Sequence, residues 1–148
     1  MSFRFKHFFF NAFRELFLYH HSSLEFRAKL FAAPIAADLE ADTCEYAVVE
    51  QAAKDIYGDG DRAELLVLTV KEYVKKVIDN NGLGVDELIE DIIRDLKNVP
   101  RYAKKIDTQK LRPLLACQND ETTRIYQERM LALFERLKRE YEESDQPR

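Results

Sequence analysis

The chain contains few residues that favour turns or break helices. Its 148 residues include four glycines and four prolines, and no segment shows sustained alternation of apolar and polar residues. A fold with many strands needs frequent turns, and turns favour glycine and proline. Apolar residues instead recur every three to four positions along most of the chain, which is the spacing of amphipathic helices. The sequence therefore predicts an all-α protein.

Length and spacing predict a single-domain bundle of about six or seven helices over residues 1–142, with a disordered tail at 143–148. Three pairs with the spacing of a capping box predict helix starts: Ser22 and Glu25, Asp42 and Glu45, and Asp61 and Glu64. Pro34 predicts a kink or break in the second helix, because proline cannot donate a backbone hydrogen bond. A regular apolar stripe over residues 88–96 predicts another helix.

The N-terminal segment is crowded with aromatic and basic residues. Nine of the ten phenylalanines lie in the first 31 residues. A predicted helix over about residues 5–19 is apolar on nearly all sides, so it either forms the centre of the bundle or docks on a partner or an anionic membrane surface. The candidate docking residues are Phe3, Arg4, Phe5, Lys6, Phe9 and Phe13.

The two cysteines, Cys44 and Cys117, lack CxxC spacing and are predicted to be free thiols, with Cys44 buried as a small apolar residue. The N-terminal apolar stretch is interrupted by polar residues, which argues against a cleaved signal peptide. No apolar run approaches the roughly 20 residues that span a bilayer. Together these features predict a cytoplasmic protein.

The densest polar cluster alternates carboxylates over residues 38–45, at Asp38, Glu40, Asp42 and Glu45. Carboxylates spaced in this way in a turn can direct their oxygens toward one hard cation, such as Ca²⁺. The alternative is that these side chains cap a helix or are simply solvated.

A second loop repeats the seven-residue acidic interval, from Asp79 to Asp86. The helices between the two loops are predicted to run antiparallel, which would bring this loop back to the Asp38 end. Of the residues in this loop, Asn81 and Asp86 are therefore the further candidate ligands, and a divalent cation is the one candidate cofactor.

Residues 37–46, ADLEADTCEY, resemble the A-D-G-x-x-x-x-x-E signature of TerB-like proteins, the helical tellurite-resistance family. Residues 81–87 are similar to a second copy, and the resemblance covers about residues 26–100. Leu39 replaces the signature glycine. The resemblance implies divalent metal binding by Asp38 and Glu45, with Asn81 and Glu87, in stress-response assemblies near membranes.

Other constellations in the sequence do not predict chemistry. His7, His20 and His21 lack zinc-ligand spacing, neither cysteine has a recognisable base, and no glycine-rich phosphate loop occurs. The basic stretch 101–105 could contact phosphates, but a solvated surface is favoured there, and nucleic-acid binding is not predicted.

We therefore expect no catalytic residues and a non-enzymatic cytoplasmic binding module that resembles TerB-like stress-response proteins. The alternative is a metal-independent adaptor that docks through its N-terminal helix, on a protein partner, a second copy or a membrane surface.

Overall fold

The computed structural model describes residues 22–38, 43–79 and 84–145. These residues form seven α-helices and one 3₁₀ helix, with no strand among them. The elements are α1 (Ser22–Ala36), α2 (Thr43–Tyr57), α3 (Asp61–Ile78), α4 (Val85–Asn98), the 3₁₀ helix (Pro100–Lys105), α5 (Thr108–Leu111), α6 (Pro113–Ala116) and α7 (Glu121–Asp145). The prediction of an all-α fold is confirmed.

Helix α1 lies at the centre of the described bundle. It packs most extensively against α3, and then against α4 and the 3₁₀ helix. Its buried apolar residues are Leu24, Phe26, Ala28, Leu30, Phe31, Ala32, Ala33, Ile35 and Ala36. They cover nearly the whole circumference of the helix, so only a position with neighbours on every side removes them from water.

Polar residues near the N-terminus of α1 make cross-helix contacts. The Glu25 carboxylate, predicted to take part in a capping box, is buried and accepts a hydrogen bond from the Tyr73 hydroxyl of α3. Lys29 Nζ lies 2.9 Å from Asp95 Oδ2 of α4 in a largely buried ion pair. These contacts fix the rotation of α1 relative to its two main neighbours.

Pro34 does not end α1, contrary to the predicted break, and the helix continues to Ala36. The chain turns just beyond, where the Asp38 N–H donates to Ile35 O at 3.3 Å. The Pro34 carbonyl instead accepts a 3.0 Å hydrogen bond from Nε2 of the buried Gln127 on α7. A side chain 93 positions away therefore satisfies a carbonyl at the end of the central helix.

Short-range signals set most of the other helix ends. Gly58 ends α2 with a φ of 76°, a conformation that glycine adopts without strain. Asp107 caps α5 by accepting from the Gln109 N–H at 3.1 Å. Asp120 caps α7 by accepting from the Thr123 N–H at 3.1 Å and from its hydroxyl at 2.6 Å. The predicted capping box at Asp61 is wrong, since Gly60 takes the N-cap position and no side chain caps α3.

The 3₁₀ helix, which the sequence did not predict, packs mainly against α7, and then against α4 and α1. Its Tyr102 ring lies 5.3 Å from the Phe26 ring of α1, centroid to centroid, and both side chains are buried. Helix α7 extends to Asp145, so residues 143–145 are helical where the sequence predicted a tail.

Phe26→Ala should lower the free energy of unfolding by about 3–5 kcal/mol, because it opens a cavity at the contact between α1 and the 3₁₀ helix. Urea denaturation followed by circular dichroism measures the change. Tyr126→Ala is the matched control: Tyr126 is 44% exposed, so its loss should change stability by less than about 0.5 kcal/mol. Equal losses for the two variants would contradict the central position of α1.

Candidate functional site

The helix ends that flank the two predicted acidic loops, the start of α2 and the end of α3, lie at the same end of a helical hairpin. Helices α2 and α3 are antiparallel, since the Lys71 ammonium of α3 lies 5.2 Å from the ring centre of Tyr46, near the start of α2. At the other end of the pair, the Arg62 guanidinium lies 4.8 Å from the ring centre of Tyr57. The end of α1 and the start of α4 are joined to this hairpin by short connections, at residues 37–42 and 79–84.

The structure describes four of the seven predicted ligands. Asp38 is half-buried just after α1, Glu45 is buried in the first turn of α2, and Asp86 and Glu87 are exposed in the first turn of α4. Within the described ranges, no three acidic, histidine or cysteine side chains are grouped as a metal would require. The other three predicted ligands, Glu40, Asp42 and Asn81, lie outside the described residues. The four described ligands therefore do not form a metal centre by themselves.

Asp86 lies close to α7 as well as to the loop. Burial raises the pKa of the Tyr126 hydroxyl, and the negative charge of Asp86 raises it further. The carboxylate is therefore near the second turn of α7, on the side of α4 that this helix approaches. The sequence did not predict that Asp86 would lie near Tyr126.

Glu45 is the most distinctive of the predicted ligands, because its side chain is only 2% exposed. Removing a carboxylate from water is costly unless nearby positive or polar groups compensate for the lost hydration. The first turn of α2 supplies part of that compensation, since the N-terminal end of a helix carries partial positive charge. The pKa of the neighbouring Tyr46 hydroxyl is raised by burial and then by the charge of Glu45. A buried carboxylate at this end of the bundle has the chemistry of a hard-cation ligand.

A disulfide joins Cys44 and Cys117, which corrects the prediction of free thiols. Cys44 is exposed in the first turn of α2, so the prediction that it is a buried apolar residue is also wrong. The bond ties the start of α2, next to Glu45, to the end of α6 across 73 positions of sequence. The spacing of the two cysteines does not signal this pair, because a bond between distant elements depends on how the bundle folds.

Six predicted docking residues lie outside the described residues: Phe3, Arg4, Phe5, Lys6, Phe9 and Phe13. The three histidines lie there as well. Among the described helices, none is both long enough and apolar enough to cross a membrane. Docking through the N-terminal segment therefore stays a prediction.

Comparison with known proteins returned no matching family model, no matching curated protein and no matching solved structure. The resemblance to TerB-like proteins accordingly stays a prediction.

Replacing both cysteines by serine should lower the free energy of unfolding by up to about 4 kcal/mol, because the disulfide closes a long loop and restricts the unfolded chain. Urea denaturation of the wild type with and without a reducing agent measures the same effect. The double serine variant is the control, since a reducing agent should leave its midpoint unchanged. Two thiols titrating per native wild-type chain would contradict the disulfide.

Proposed function

We propose that this chain is a non-enzymatic helical binding module that takes up a divalent cation, Ca²⁺ or similar, between its two acidic loops. The observation that supports the proposal best is the nearly complete burial of Glu45 at the end of the bundle where both loops lie. A role of the TerB-like kind, in stress response, belongs to the same proposal and depends on the residues that carry that resemblance.

The proposed site would use groups from separate helix ends. Asp38 follows α1, Glu45 begins α2, and Asp86 and Glu87 begin α4. A cation held between them would link the ends of three helices, with Glu40, Asp42 and Asn81 as the remaining proposed ligands. Because carboxylate oxygens are hard ligands, the expected ions are Ca²⁺ or Mn²⁺ rather than soft metals.

The disulfide helps to indicate the cellular compartment in which the module works. The cytoplasmic location predicted from the sequence relied on free thiols, whereas disulfides persist mainly in oxidising compartments. The bond between Cys44 and Cys117 therefore favours an oxidising compartment. It also fixes the start of α2, which limits how far Glu45 can move when a cation enters or leaves.

Adding Ca²⁺ or Mn²⁺ to chelated protein at about 100 times the dissociation constant should stabilise it by ~2.7 kcal/mol. The thermal midpoint should therefore rise by several degrees, and differential scanning fluorimetry measures it. Asp38→Asn and Glu45→Gln should each abolish the rise, because each removes a charged ligand while keeping the shape of the side chain.

Glu50→Gln is the matched control, since Glu50 is an exposed acid on the same helix as Glu45. Its variant should respond to metal as the wild type does. The metal proposal fails if Asp38→Asn and Glu45→Gln keep the full response, or if no ion shifts the wild-type midpoint.

A second candidate function is an adaptor that docks through the N-terminal segment on a protein partner, a second copy or an anionic membrane surface. It is favoured by the position of α1, because residues 22–36 form the helix that lies among α3, α4 and the 3₁₀ helix. An aromatic and basic segment is suited to docking.

Deleting residues 1–20 should leave a folded bundle that no longer sediments with phosphatidylserine vesicles or self-associates. Circular dichroism reports folding, and vesicle sedimentation with analytical ultracentrifugation reports docking. Arg4→Glu with Lys6→Glu in the full chain should weaken vesicle binding through charge alone. Loss of the folded bundle on deletion would instead make the segment part of the core.

A further inference from the structure

A group of cationic side chains gathers at the end of the α2–α3 hairpin opposite the acidic loops. Arg27 comes from α1, Arg62 from the first turn of α3, and Arg101 and Lys105 from the 3₁₀ helix. We call these four residues, together with Tyr57, the Tyr57 cluster. Its members come from four separate elements, so the cluster is a product of the fold and not of one charged stretch of sequence.

Tyr57, the last residue of α2, holds two of the arginines. The Arg27 guanidinium carbon lies 5.3 Å from the centre of the Tyr57 ring, and that of Arg62 lies 4.8 Å from it. Both distances are typical of cation–π contacts. Arg27 also donates a 3.0 Å hydrogen bond to the Tyr57 hydroxyl oxygen. Since that oxygen acts as the acceptor, the proton of the hydroxyl can be donated to a ligand.

Core packing brings the other two cations to the same place. Tyr102 of the 3₁₀ helix stacks against Phe26, the residue before Arg27. Side chains three positions apart align along a 3₁₀ helix, so Lys105 lies on the same edge as Tyr102. The Arg101 guanidinium carbon lies 5.8 Å from the Tyr102 ring centre. The contact between the Phe26 and Tyr102 rings therefore positions Arg101 and Lys105 beside Arg27.

The charges of the cluster act on one another. Burial lowers the pKa of the Lys105 ammonium, and the guanidiniums of Arg27, Arg101 and Arg62 lower it further. Like charges held this close repel, and a bound anion would remove that repulsion. Asp59, Asp61 and Glu64 lie near Arg62 in sequence and are exposed. Charge interactions in solvent are screened by salt, so these acids reduce the positive charge of the cluster without cancelling it.

The start of α3 adds a further attraction for an anion. Gly60 occupies the N-cap position and no side chain caps the helix. The first-turn amides of this 18-residue helix and its dipole favour negative charge beside Arg62, and Asp61 and Glu64 of the same turn already supply part of it. The start of α3 therefore adds to the attraction that the four cations exert on an anion, and the four cations define the site.

We propose that the Tyr57 cluster binds a multiply charged phosphate group, as a free polyphosphate or as the headgroup of a phosphorylated lipid. Guanidiniums pair with phosphate oxygens through two parallel hydrogen bonds, and four cations from several directions suit a ligand with many oxygens. The site shares no residue with the proposed metal site, and the length of α2 separates the two by roughly 20 Å. Phosphate binding at the Tyr57 cluster can therefore be tested independently of metal binding.

Isothermal titration with sodium tripolyphosphate, in a buffer free of phosphate and sulfate, tests the proposal on the full chain. The double variant Arg62→Ala/Arg101→Ala should weaken binding by about a hundredfold, since each lost guanidinium–phosphate contact costs about tenfold. The double variant Arg62→Lys/Arg101→Lys should bind tripolyphosphate with an affinity between those of the wild type and the alanine double variant, because it keeps the charge but loses the paired hydrogen bonds. Both arginines are exposed, so the variants should keep the wild-type thermal midpoint.

Arg136→Ala/Arg139→Ala is the matched control, because it removes two exposed arginines from α7. It should bind tripolyphosphate as the wild type does. Sedimentation with phosphatidylcholine vesicles, with and without phosphatidylinositol phosphate, identifies the source of the phosphate. Binding to the doped vesicles supports a lipid headgroup, and binding to tripolyphosphate alone supports a free phosphate. The proposal is overturned if the wild type binds neither probe, or if the cluster variant and the control lose affinity equally.

Discussion

The burial of α1 is the constraint on which the rest of the structure depends. A helix that is apolar on nearly all sides must be surrounded by other elements, and α3, α4 and the 3₁₀ helix surround α1. Many of its buried residues are alanines, whose small side chains let the neighbouring backbones approach closely. The polar groups of α1 are satisfied by other helices: Glu25 by Tyr73, Lys29 by Asp95, and the Pro34 carbonyl by Gln127. Each contact also orients a neighbour, so the central helix determines where the surrounding helices can lie.

Helices α2 and α3 form a hairpin whose two ends differ in their side chains. Acidic residues lie near the start of α2, whereas at its end cationic side chains gather around Tyr57, with the exposed Asp59 and Asp61 nearby. Helix α2 packs mainly against α3 and contacts α6 to a lesser extent. The disulfide to Cys117 strengthens that second attachment and holds the acidic end in place. Both proposed sites therefore rely on the same hairpin, although they share no side chain.

The sequence predicted the features that depend on local spacing. The apolar stripe of α4 is buried as expected at Leu88, Ile92 and Leu96. Features that depend on distant partners were missed. Gln127, far away in sequence, bonds to the Pro34 carbonyl near the end of α1. The disulfide and the Tyr57 cluster join separate elements, and single-sequence patterns carry no signal for such contacts. The sequence could indicate which residues have the side chains of metal ligands, but not the distances between those side chains in the fold.

Native-state hydrogen exchange of the backbone amides tests the central position of α1 most directly. If α1 is the centre, the amides of Phe26 to Ala36, except Pro34, which has no N–H, should exchange only when the whole bundle unfolds. Their opening free energy should then equal the free energy of unfolding from urea denaturation. The first turns of α2 and α7 should open more easily, because many of their residues are exposed. Exchange of the α1 amides by local opening, at free energies as low as those of these first turns, would contradict the account.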